Sequence, residues 1–251
     1  MGRLEGKAAI VTGGGRGIGR SICLAYAREG ADIIVNYVTK DHSAQEVVEM
    51  VREIGRKAVA VKGNIAVRAD VERIIQSAID HFGKIDILVN NAGATRAAML
   101  HKMTEEQWDE VVDIHLKGPF LCTQAASRHM MGQKGGKIIN VTSVAGLVGT
   151  KGQINYSAAK GGVIALTKSA ARELADYGIT VNVILLGVVS TEMTEKVRTD
   201  PKLKEIYLKR ILLNRFAEAE DVVPAFVFFA SAESNYITGQ LLCVDGGYGM
   251  T

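Results

Sequence analysis

The stretch Ala8-Ala-Ile-Val-Thr-Gly-Gly-Gly-Arg-Gly-Ile-Gly19 decides the fold of this chain. It begins with an uninterrupted apolar run, which is typical of a strand buried on both faces of a parallel sheet. The run ends in a glycine cluster, and apolar residues then recur at helical spacing as far as Ala27. A strand, a glycine-rich turn and a helix in that order predict the first β-α unit of an α/β domain.

The same alternation of short β-branched runs and longer amphipathic stretches continues through the chain. Parallel neighbouring strands need such helical crossover connections. We therefore predict a Rossmann-like, doubly wound parallel sheet of about seven strands with helices on both faces, in a single α/β domain over residues 1–251. The predicted strands are Ala8–Thr12, Ala31–Tyr37, Ala58–Val61, Ile85–Asn90, Lys137–Thr142, Thr180–Leu185 and Leu241–Val244.

The charge pattern argues against several functional classes. The 30 basic and 27 acidic residues are interleaved, whereas nucleic-acid binding requires clustered cations. The apolar runs are too short to span a bilayer, and the N-terminus has no signal-peptide pattern. The three cysteines have neither paired nor metal-ligand spacing, and we predict that they are buried thiols. We therefore expect no nucleic-acid, membrane or metal binding, and a cytoplasmic location.

The glycine cluster from Gly13 to Gly19 has the chemistry of a phosphate cradle. Glycine allows a tight turn and a close approach of the backbone, and the following helix offers unpaired N–H groups and a positive dipole end to a pyrophosphate. A flexible turn is the alternative interpretation. The strand before the glycines and the helix after them favour a dinucleotide site.

A second candidate site lies in Tyr156-Ser-Ala-Ala-Lys160. In a helix, a spacing of four places both side chains on one face. The pKa of a free phenol is about 10, too high for efficient proton transfer near neutrality, and a neighbouring ammonium would lower it. Ser143 ends the fifth predicted strand, at the carboxyl edge of the sheet where doubly wound folds bind ligands. The alternative is that Tyr156 is an interface aromatic and that Ser143 is a turn hydroxyl.

Three motifs together resemble the short-chain dehydrogenase/reductase family over nearly the whole chain: Gly13-xxx-Gly17-x-Gly19, Asn90-Asn91-Ala92-Gly93, and Ser143 with Tyr156-xxx-Lys160. The resemblance implies an NAD(P)-dependent oxidoreductase that moves a hydride between nicotinamide and a carbonyl or secondary alcohol. It implies that Tyr156 transfers the proton, Ser143 orients the substrate oxygen, and Lys160 tunes Tyr156 and holds the cofactor ribose. The cofactor-binding residues that it implies, with no metal, are Gly13, Gly15, Arg16, Gly17, Ile18, Gly19, Asn36, Tyr37, Asn64, Ile65, Asn91, Ala92, Gly93, Tyr156, Lys160, Val189 and Thr191.

The end of the second strand indicates which dinucleotide is bound. An Asp or Glu there would hold an unphosphorylated ribose 2′-hydroxyl, but this chain has Asn36 and Tyr37. With no carboxylate to repel a 2′-phosphate, and with Arg16 and Lys40 to bind it, we predict that NADP(H) is favoured over NAD(H). Either cation alone is equally typical of a solvated surface charge. Asn64 replaces the Asp that the family usually has near the adenine, and its amide can still donate to a ring nitrogen.

His115 departs from the family pattern, which has at this position an Asn that helps to hold a water linked to the lysine. An imidazole can also hold a water, but it titrates near neutrality. One hypothesis places His115 in the proton relay and predicts an extra pH dependence between about pH 6 and 7. The other hypothesis is that His115 merely packs there. The sequence leaves both open.

The segment 187–213 mixes charged residues with Met193 and Pro201 and has no single period, which predicts a mobile substrate lid. Leu186-Gly187 and Ala219 stand where the family usually has proline. The loss of these backbone restraints predicts a looser substrate loop.

Gly93-Ala-Thr-Arg96 and the following Met99–Met103 resemble the 3-oxoacyl-[acyl-carrier-protein] reductases. A 3-oxoacyl thioester is therefore the leading substrate, and an acyl carrier protein is a candidate partner. Those enzymes often have a basic residue just before Gly178, but this chain has Tyr177, and Lys134 would supply only part of a basic patch. A reductase of small ketones, or a secondary alcohol or sugar dehydrogenase, is the alternative. A second alternative is a non-catalytic NAD(P)-binding sensor, against which the complete catalytic set argues.

Two long predicted helices, about Thr104 to Met131 and Asn155 to Tyr177, carry more apolar surface than one face of a sheet needs. A capping box from Thr104 to Gln107 starts the first of them. The family resemblance implies that these helices pair between subunits in a homotetramer. Packing within one subunit is the alternative.

Overall fold

The computed structural model describes residues 2–250, and one parallel seven-stranded sheet runs through them. The strands are β1 (Ala8–Val11), β2 (Asp32–Tyr37), β3 (Ala58–Lys62), β4 (Ile87–Asn90), β5 (Gly136–Ser143), β6 (Ile179–Leu186) and β7 (Leu241–Val244). The α-helices are α1 (Gly17–Arg28), α2 (Asp41–Glu53), α3 (Arg68–Phe82), α4 (Glu105–Val112), α5 (Gly118–Gln133), α6 (Ala145–Val148), α7 (Ile154–Leu174), α8 (Glu195–Thr199), α9 (Pro201–Leu208) and α10 (Ala219–Ala230). The α/β class and all seven predicted strands are confirmed, with ends that differ by at most about two residues.

The strand order is β3-β2-β1-β4-β5-β6-β7. The chain therefore changes direction across the sheet between β1 and β4, which are neighbours with Val11 beside Val89. At such a switch point the loops after the two strands diverge to opposite faces and leave a crevice at the carboxyl edge. The glycine cluster follows β1 and the Asn-Asn-Ala-Gly motif follows β4, so both lie at this crevice.

Helices cover each face of the sheet and pack on a separate apolar cluster. Ala9 and Val11 of β1 belong to the cluster under α1, α2 and α10, whereas Ile10 belongs to the cluster under α3, α5 and α7. All three residues are completely buried. This burial on both faces explains why β1 has an unbroken apolar sequence rather than an alternating one.

The long helix predicted from Thr104 to Met131 is interrupted. The predicted capping box is present at Thr104 and starts α4. A π-helical turn, Asp113–Lys117, then separates α4 from α5. Pro119 accounts for the interruption, because it has no N–H to donate to the carbonyl of His115 four residues earlier.

The segment predicted to be a lid folds into short helices. A 3₁₀ turn, Glu192–Thr194, leads into α8 and α9. Asp200 caps α9 by accepting from the amides of Lys202 and Leu203 at 2.9 and 3.1 Å. These helices have five and eight residues, so each is too short to show an apolar period. Their shortness explains why the sequence pattern was unclear. Mobility of this lid stays a prediction.

Two of the three cysteines are buried as predicted, Cys23 and Cys122, but Cys243 is exposed because it lies on β7, the edge strand of the sheet. Within residues 2–250, no helix is both long and apolar enough to cross a membrane. In the same part of the chain, no group of three or more His, Cys, Asp or Glu residues is placed to hold a metal ion.

Candidate active site

The glycine cluster forms a tight turn against the loop that follows β4. Gly13 and Gly17 have positive φ angles of 65° and 52°, which favour glycine. A Cβ atom at Gly13 would lie 2.9 Å from the Cα of Ala92, and one at Gly19 would lie 2.2 Å from the Gly13 carbonyl oxygen. The backbones therefore approach as closely as the motif predicted, and no larger residue fits at Gly13 or Gly19.

The N-terminus of α1 has the features of an anion site. No side chain caps it, and its first turn contains no acidic residue. The first N–H groups of any helix lack partners within the helix, and the positive end of the helix dipole lies beside them. The structure brings Gly15, Arg16, Gly17 and Ile18 together at this end. These residues can hold a pyrophosphate.

Thr12 joins the two loops at the crevice. Its hydroxyl donates to the Val89 carbonyl and accepts from the amides of Asn91 and Ala92 at 2.9 and 3.1 Å. The Asn91 side chain donates to the Thr12 carbonyl at 3.0 Å. Asn91 and Ala92, which the sequence assigned to the cofactor, therefore lie directly against the glycine turn, and Gly93 follows them.

Asn36 has a structural role in the protein, and its predicted contact with the cofactor stays a prediction. Its side chain is buried, and its amide nitrogen donates to the carbonyls of Gly63 and Val61 at 2.9 and 3.2 Å. Its amide oxygen accepts from the N–H of Gly13 at 3.3 Å. Successive side chains of a strand alternate between faces, and Tyr37 is the more accessible of the two residues at the end of β2.

The cations predicted to bind a 2′-phosphate lie close together. Arg16 Nη1 and Lys40 Nζ are 2.6 and 3.3 Å from the same oxygen of Glu192, Oε2. All three side chains are more than half exposed. Next to them, Tyr37 hydrogen-bonds to Asp41, and this bond raises the pKa of the Tyr37 phenol.

Local hydrogen bonds position Asn64, and Ile65 packs beside it, in the loop after β3. The Asn64 side-chain oxygen accepts from the Ala66 amide at 3.0 Å, and the Asn64 N–H donates to Asp70 at 2.8 Å. Ile65 is buried against Gly118, where a Cβ atom would lie 2.7 Å from the Ile65 side chain. Because the oxygen of the Asn64 amide is engaged, its NH₂ group is the end suited to an adenine ring nitrogen.

Ser143, Tyr156 and Lys160 come together at the carboxyl end of β5. The Ser143 hydroxyl and the Tyr156 phenol are hydrogen-bonded. The Lys160 ammonium lies 5.6 Å from the centre of the Tyr156 ring and donates to the Val141 carbonyl at 2.7 Å. A 2.7 Å bond from the Thr142 hydroxyl to the Lys160 carbonyl holds α7 against β5. The phenol and the amine are thus neighbours, as the spacing of four predicted.

Burial shifts the pKa values of Lys160 and Tyr156, the two candidate proton-transfer groups. It lowers the pKa of Lys160 to about 7, because burial disfavours the charged amine. It also raises the pKa of Tyr156, and the hydrogen bond with Ser143 offsets this only in part. The sequence predicted a phenol made more acidic by the lysine; in the protein alone, burial raises its pKa instead, and the group that opposes this rise is Ser143 rather than Lys160. The phenol is therefore protonated at neutral pH, the form that can donate to a carbonyl oxygen.

His115 is buried between the loop after β4 and the tyrosine. Its ring stands edge-on to that of Tyr156, with centroids 4.9 Å apart and an interplanar angle of 86°. Its Nε2 lies 2.7 Å from the Ala94 carbonyl oxygen and 3.1 Å from the Ala94 amide nitrogen. Its Nδ1 is buried with no hydrogen-bond partner within residues 2–250. A Cβ atom at Gly93 would lie 2.4 Å from the imidazole, so this glycine makes room for the histidine.

The predicted titration of His115 between about pH 6 and 7 disagrees with this environment. Burial and, to a lesser extent, the charge of Lys160 lower the pKa of the imidazole to about 3. The ring is therefore neutral at neutral pH, and the group with a pKa of about 7 is Lys160. These contacts favour the packing hypothesis, while a relay through His115 stays a prediction.

Val189 and Thr191 begin the predicted lid beside the glycine turn. Val189 pairs with Ala217 in an isolated β-bridge, and Thr191 caps the 3₁₀ turn that follows. A Cβ atom at Gly17 would lie 3.5 Å from the Thr191 methyl carbon. The first residues of the lid therefore border the place where a dinucleotide would lie.

The sequence did not predict the polar ladder that fixes β4, β5 and α7 below the site. Asn90 donates to Asn140 at 2.8 Å, Asn140 donates to Thr167 at 2.9 Å, and Thr167 donates to the Val163 carbonyl at 2.8 Å. A signal was present, because Asn90 ends the apolar strand β4, Asn140 interrupts the apolar run of β5, and the two residues are paired in register. Glu192 was also missed, and its sequence context carries no comparable signal.

Comparisons with known proteins extend along nearly the whole chain. A family model described as enoyl-(acyl carrier protein) reductase matches residues 13–249. The 3-oxoacyl-[acyl-carrier-protein] reductase FabG of Staphylococcus aureus (strain Mu50) is 46% identical over 241 residues, which are 96% of this chain and 97% of that protein. Among solved structures, a gluconate 5-dehydrogenase from Burkholderia cenocepacia J2315 in complex with NADP and tartrate has a TM-score of 0.94 and 34% identity, covering 99% of this chain and 97% of the other. A short-chain type dehydrogenase/reductase from Mycobacterium marinum has a TM-score of 0.92 and 33% identity, covering 98% and 96%.

Proposed function

Because this chain belongs to the short-chain dehydrogenase/reductase family and is an NAD(P)-dependent oxidoreductase, we propose that it reduces 3-oxoacyl thioesters with NADPH. One observation carries the proposal: a phenol, a hydroxyl and a buried amine meet at the same carboxyl edge of the sheet as a backbone cradle for phosphate. The 46% identity to a 3-oxoacyl-[acyl-carrier-protein] reductase supports this substrate class.

The residues present fit a nicotinamide dinucleotide. The uncapped N-terminus of α1 suits its pyrophosphate, and the buried Lys160 ammonium suits a ribose hydroxyl. When bound, the dinucleotide supplies the hydride for reduction or accepts it in the reverse reaction. The preference for NADP(H) is supported by Arg16 and Lys40 and by Tyr37 in place of a carboxylate.

In the proposed reduction, the Ser143 hydroxyl donates to the substrate carbonyl oxygen and orients it. Tyr156 gives its proton to that oxygen as the alcohol forms, and the reverse transfer occurs in oxidation. Lys160, when charged, stabilises the phenolate that remains on Tyr156. The hydrogen bonds that hold the three residues on β5 and α7 fix their positions before the substrate arrives, and such positioning accounts for much of the rate gain.

We propose that an acyl carrier protein carries the thioester substrate. We also propose that the protein is cytoplasmic. Lys134 and Tyr177 are both exposed, and Gly178, which follows Tyr177, lies close to the Lys134 backbone, where a Cβ atom on Gly178 would be 3.0 Å from the Lys134 carbonyl oxygen. Only one of these two residues is cationic, so we expect them to contribute little to docking of an acidic carrier. An unchanged KM for the carrier-bound substrate in Lys134→Gln would agree with this expectation.

A panel of substrates tests the proposed function. Turnover of an acetoacetyl thioester, small ketones, secondary alcohols and gluconate is measured with NADPH or NADP⁺ and with NADH or NAD⁺ in parallel. We expect the highest kcat/KM for the thioester with NADPH. A higher kcat/KM for gluconate would favour a sugar dehydrogenase, which the similarity to the B. cenocepacia gluconate 5-dehydrogenase makes the second candidate. Binding of the dinucleotide without turnover of any substrate would favour a sensor.

We also propose a homotetramer. Trp108 on α4, Phe120 on α5 and Ile154 on α7 are large apolar residues that remain 38%, 45% and 39% exposed in one chain. A second copy of these helices would cover them. Light scattering during size-exclusion chromatography should give four times the mass of the chain, and the mass of one chain would contradict the proposal.

A further inference from the structure

Glu192 is a charged residue at the cofactor site that the proposed mechanism does not use. Its carboxylate accepts hydrogen bonds from Arg16 and Lys40 at 2.6 and 3.3 Å. The three residues come from separate elements: Arg16 precedes α1, Lys40 precedes α2, and Glu192 begins the 3₁₀ turn of the lid. The hydrogen bonds from Arg16 and then Lys40 keep the pKa of Glu192 below its usual value, so the carboxylate is ionised at neutral pH.

We propose that Glu192 limits the preference for NADP(H) by competing with a nucleotide 2′-phosphate for Arg16 and Lys40. This inference rests on the proposed use of NADP(H). Both cations already face one negative charge, and a 2′-phosphate brings further negative charge to the same donors. The phosphate must therefore displace the carboxylate or share the cations with it. The 2′-hydroxyl of NAD(H) is uncharged and does not need to displace the carboxylate from Arg16 and Lys40. Glu192 therefore weakens binding of the phosphorylated nucleotide selectively.

Asp41, another charged residue at this point, does not replace Glu192. Asp41 begins α2 and hydrogen-bonds to the Tyr37 phenol. It forms no ion pair with Arg16 or Lys40, whose recorded partner within residues 2–250 is Glu192. Displacement of Glu192 by phosphate would also release one attachment of the lid to the glycine turn, and Thr191 would remain close to Gly17.

Equilibrium binding tests this inference without relying on turnover. Dissociation constants for NADP⁺ and NAD⁺ are measured by isothermal titration calorimetry on the full chain, for the wild type, Glu192→Gln and the matched control Glu195→Gln. Glu195 lies three residues further along the lid, is exposed, and forms none of the ion pairs found within residues 2–250. Both substitutions remove the same charge from the same segment, so their difference isolates the contact with the cations.

We expect Glu192→Gln to bind NADP⁺ about three- to tenfold more tightly than Glu195→Gln at low salt, with NAD⁺ affinities equal within about twofold. The gain should shrink at about 0.5 M salt, because exposed charges are screened. It should also vanish in the Arg16→Gln/Lys40→Gln background, where no cations remain to compete for.

An NADP⁺ affinity that is unchanged or lower in Glu192→Gln than in Glu195→Gln would overturn the inference. So would a gain that persists when Arg16 and Lys40 are neutral. Failure of the proposed cofactor preference has a different signature, since wild-type protein would then bind NAD⁺ at least as tightly as NADP⁺. The Glu192 effect is judged only from the difference between the two variants.

Discussion

Two clusters of side chains border the proposed cofactor site, and they differ in burial: the buried cluster is Ser143, Tyr156, Lys160 and His115, and the exposed cluster is Arg16, Lys40 and Glu192. At the catalytic end, Lys160 is only 4% exposed and donates to a carbonyl of β5. At the phosphate end, Arg16, Lys40 and Glu192 are 55%, 54% and 63% exposed. A buried charge is desolvated, and its pKa shifts, whereas exposed charges interact weakly and are screened by salt. The buried cluster should therefore decide whether the chemistry occurs, and the exposed cluster should adjust which nucleotide is held.

The largest effect is expected from removal of the phenolic hydroxyl in the buried cluster. Tyr156→Phe should lower kcat about 10²- to 10⁴-fold, because it removes the proton donor. Cofactor affinity, measured by nucleotide fluorescence, should stay within about threefold of wild type. Tyr177→Phe makes the same change at an exposed tyrosine and should leave kcat unchanged. More than a tenth of wild-type turnover in Tyr156→Phe would assign the proton transfer to another group.

The glycine turn should show the next largest effect, because it is close-packed although it lies at the surface crevice. Gly19→Ala places a methyl group against the Gly13 carbonyl oxygen and should weaken NADP⁺ binding at least about tenfold and lower stability by about 1–3 kcal/mol. Gly132→Ala is the control, since a Cβ atom there meets nothing within 4 Å and lies in α5. Alanine should be neutral or stabilising there. Equal effects of both substitutions on binding and on denaturant midpoints would contradict the packing argument.

The sequence predicted the features that depend on local spacing, and it could not predict those that depend on how distant parts of the chain pack. The strands, the glycine turn and the pairing of Tyr156 with Lys160 follow from period and spacing, which are local properties of the chain. The direction of the Tyr156 pKa shift was wrong, because desolvation depends on the residues packed around the phenol. The contact of Glu192 with Arg16 joins residues 176 positions apart, so no local pattern could reveal it.

Asn36 and His115 show the same limit at single positions. The sequence placed Asn36 near the end of β2, but it did not show that the side chain is buried and hydrogen-bonded to Gly63 and Gly13. For His115, the pattern identified an unusual residue at the site but not its surroundings. The imidazole pKa of about 3 results from burial, which a sequence does not display.

The buried cluster should give the reaction its pH dependence through Lys160. The pKa of this amine is about 7 in the protein, and its charged form predominates below that pH. Because the charged form stabilises the phenolate, kcat/KM for reduction should fall above about pH 7, approaching tenfold per pH unit. Lys160→Arg remains charged throughout and should lose this decline even if it is slower. A wild-type profile that is flat from pH 6 to 9 would show that the charge of Lys160 is not required.

His115 belongs to the buried cluster but should have a smaller effect, because it is neutral at neutral pH. His115→Asn should lower kcat only a few-fold, through the loss of its edge-on contact with Tyr156 and its bond to Ala94. The pH profiles of the variant and the wild type should superimpose between pH 5 and 9 after scaling. A titration near pH 6 to 7 that is present in the wild type and absent from His115→Asn would restore the proton-relay hypothesis.

The smallest effect is expected beyond the lid, where Ala219 stands in place of the proline that is usual in the family. Ala219 is the first residue of α10, a position that favours proline, and Glu218 before it is extended with φ −92° and ψ 168°. Ala219→Pro should therefore restrict the unfolded chain without strain and raise stability by about 0.4–1 kcal/mol. Calorimetry should show a Tm higher by up to about 4 °C, with kcat and nucleotide affinity unchanged. If nucleotide affinity changed as well, the segment that follows the lid would be coupled to the exposed cluster of Arg16, Lys40 and Glu192. The two regions would then not be independent.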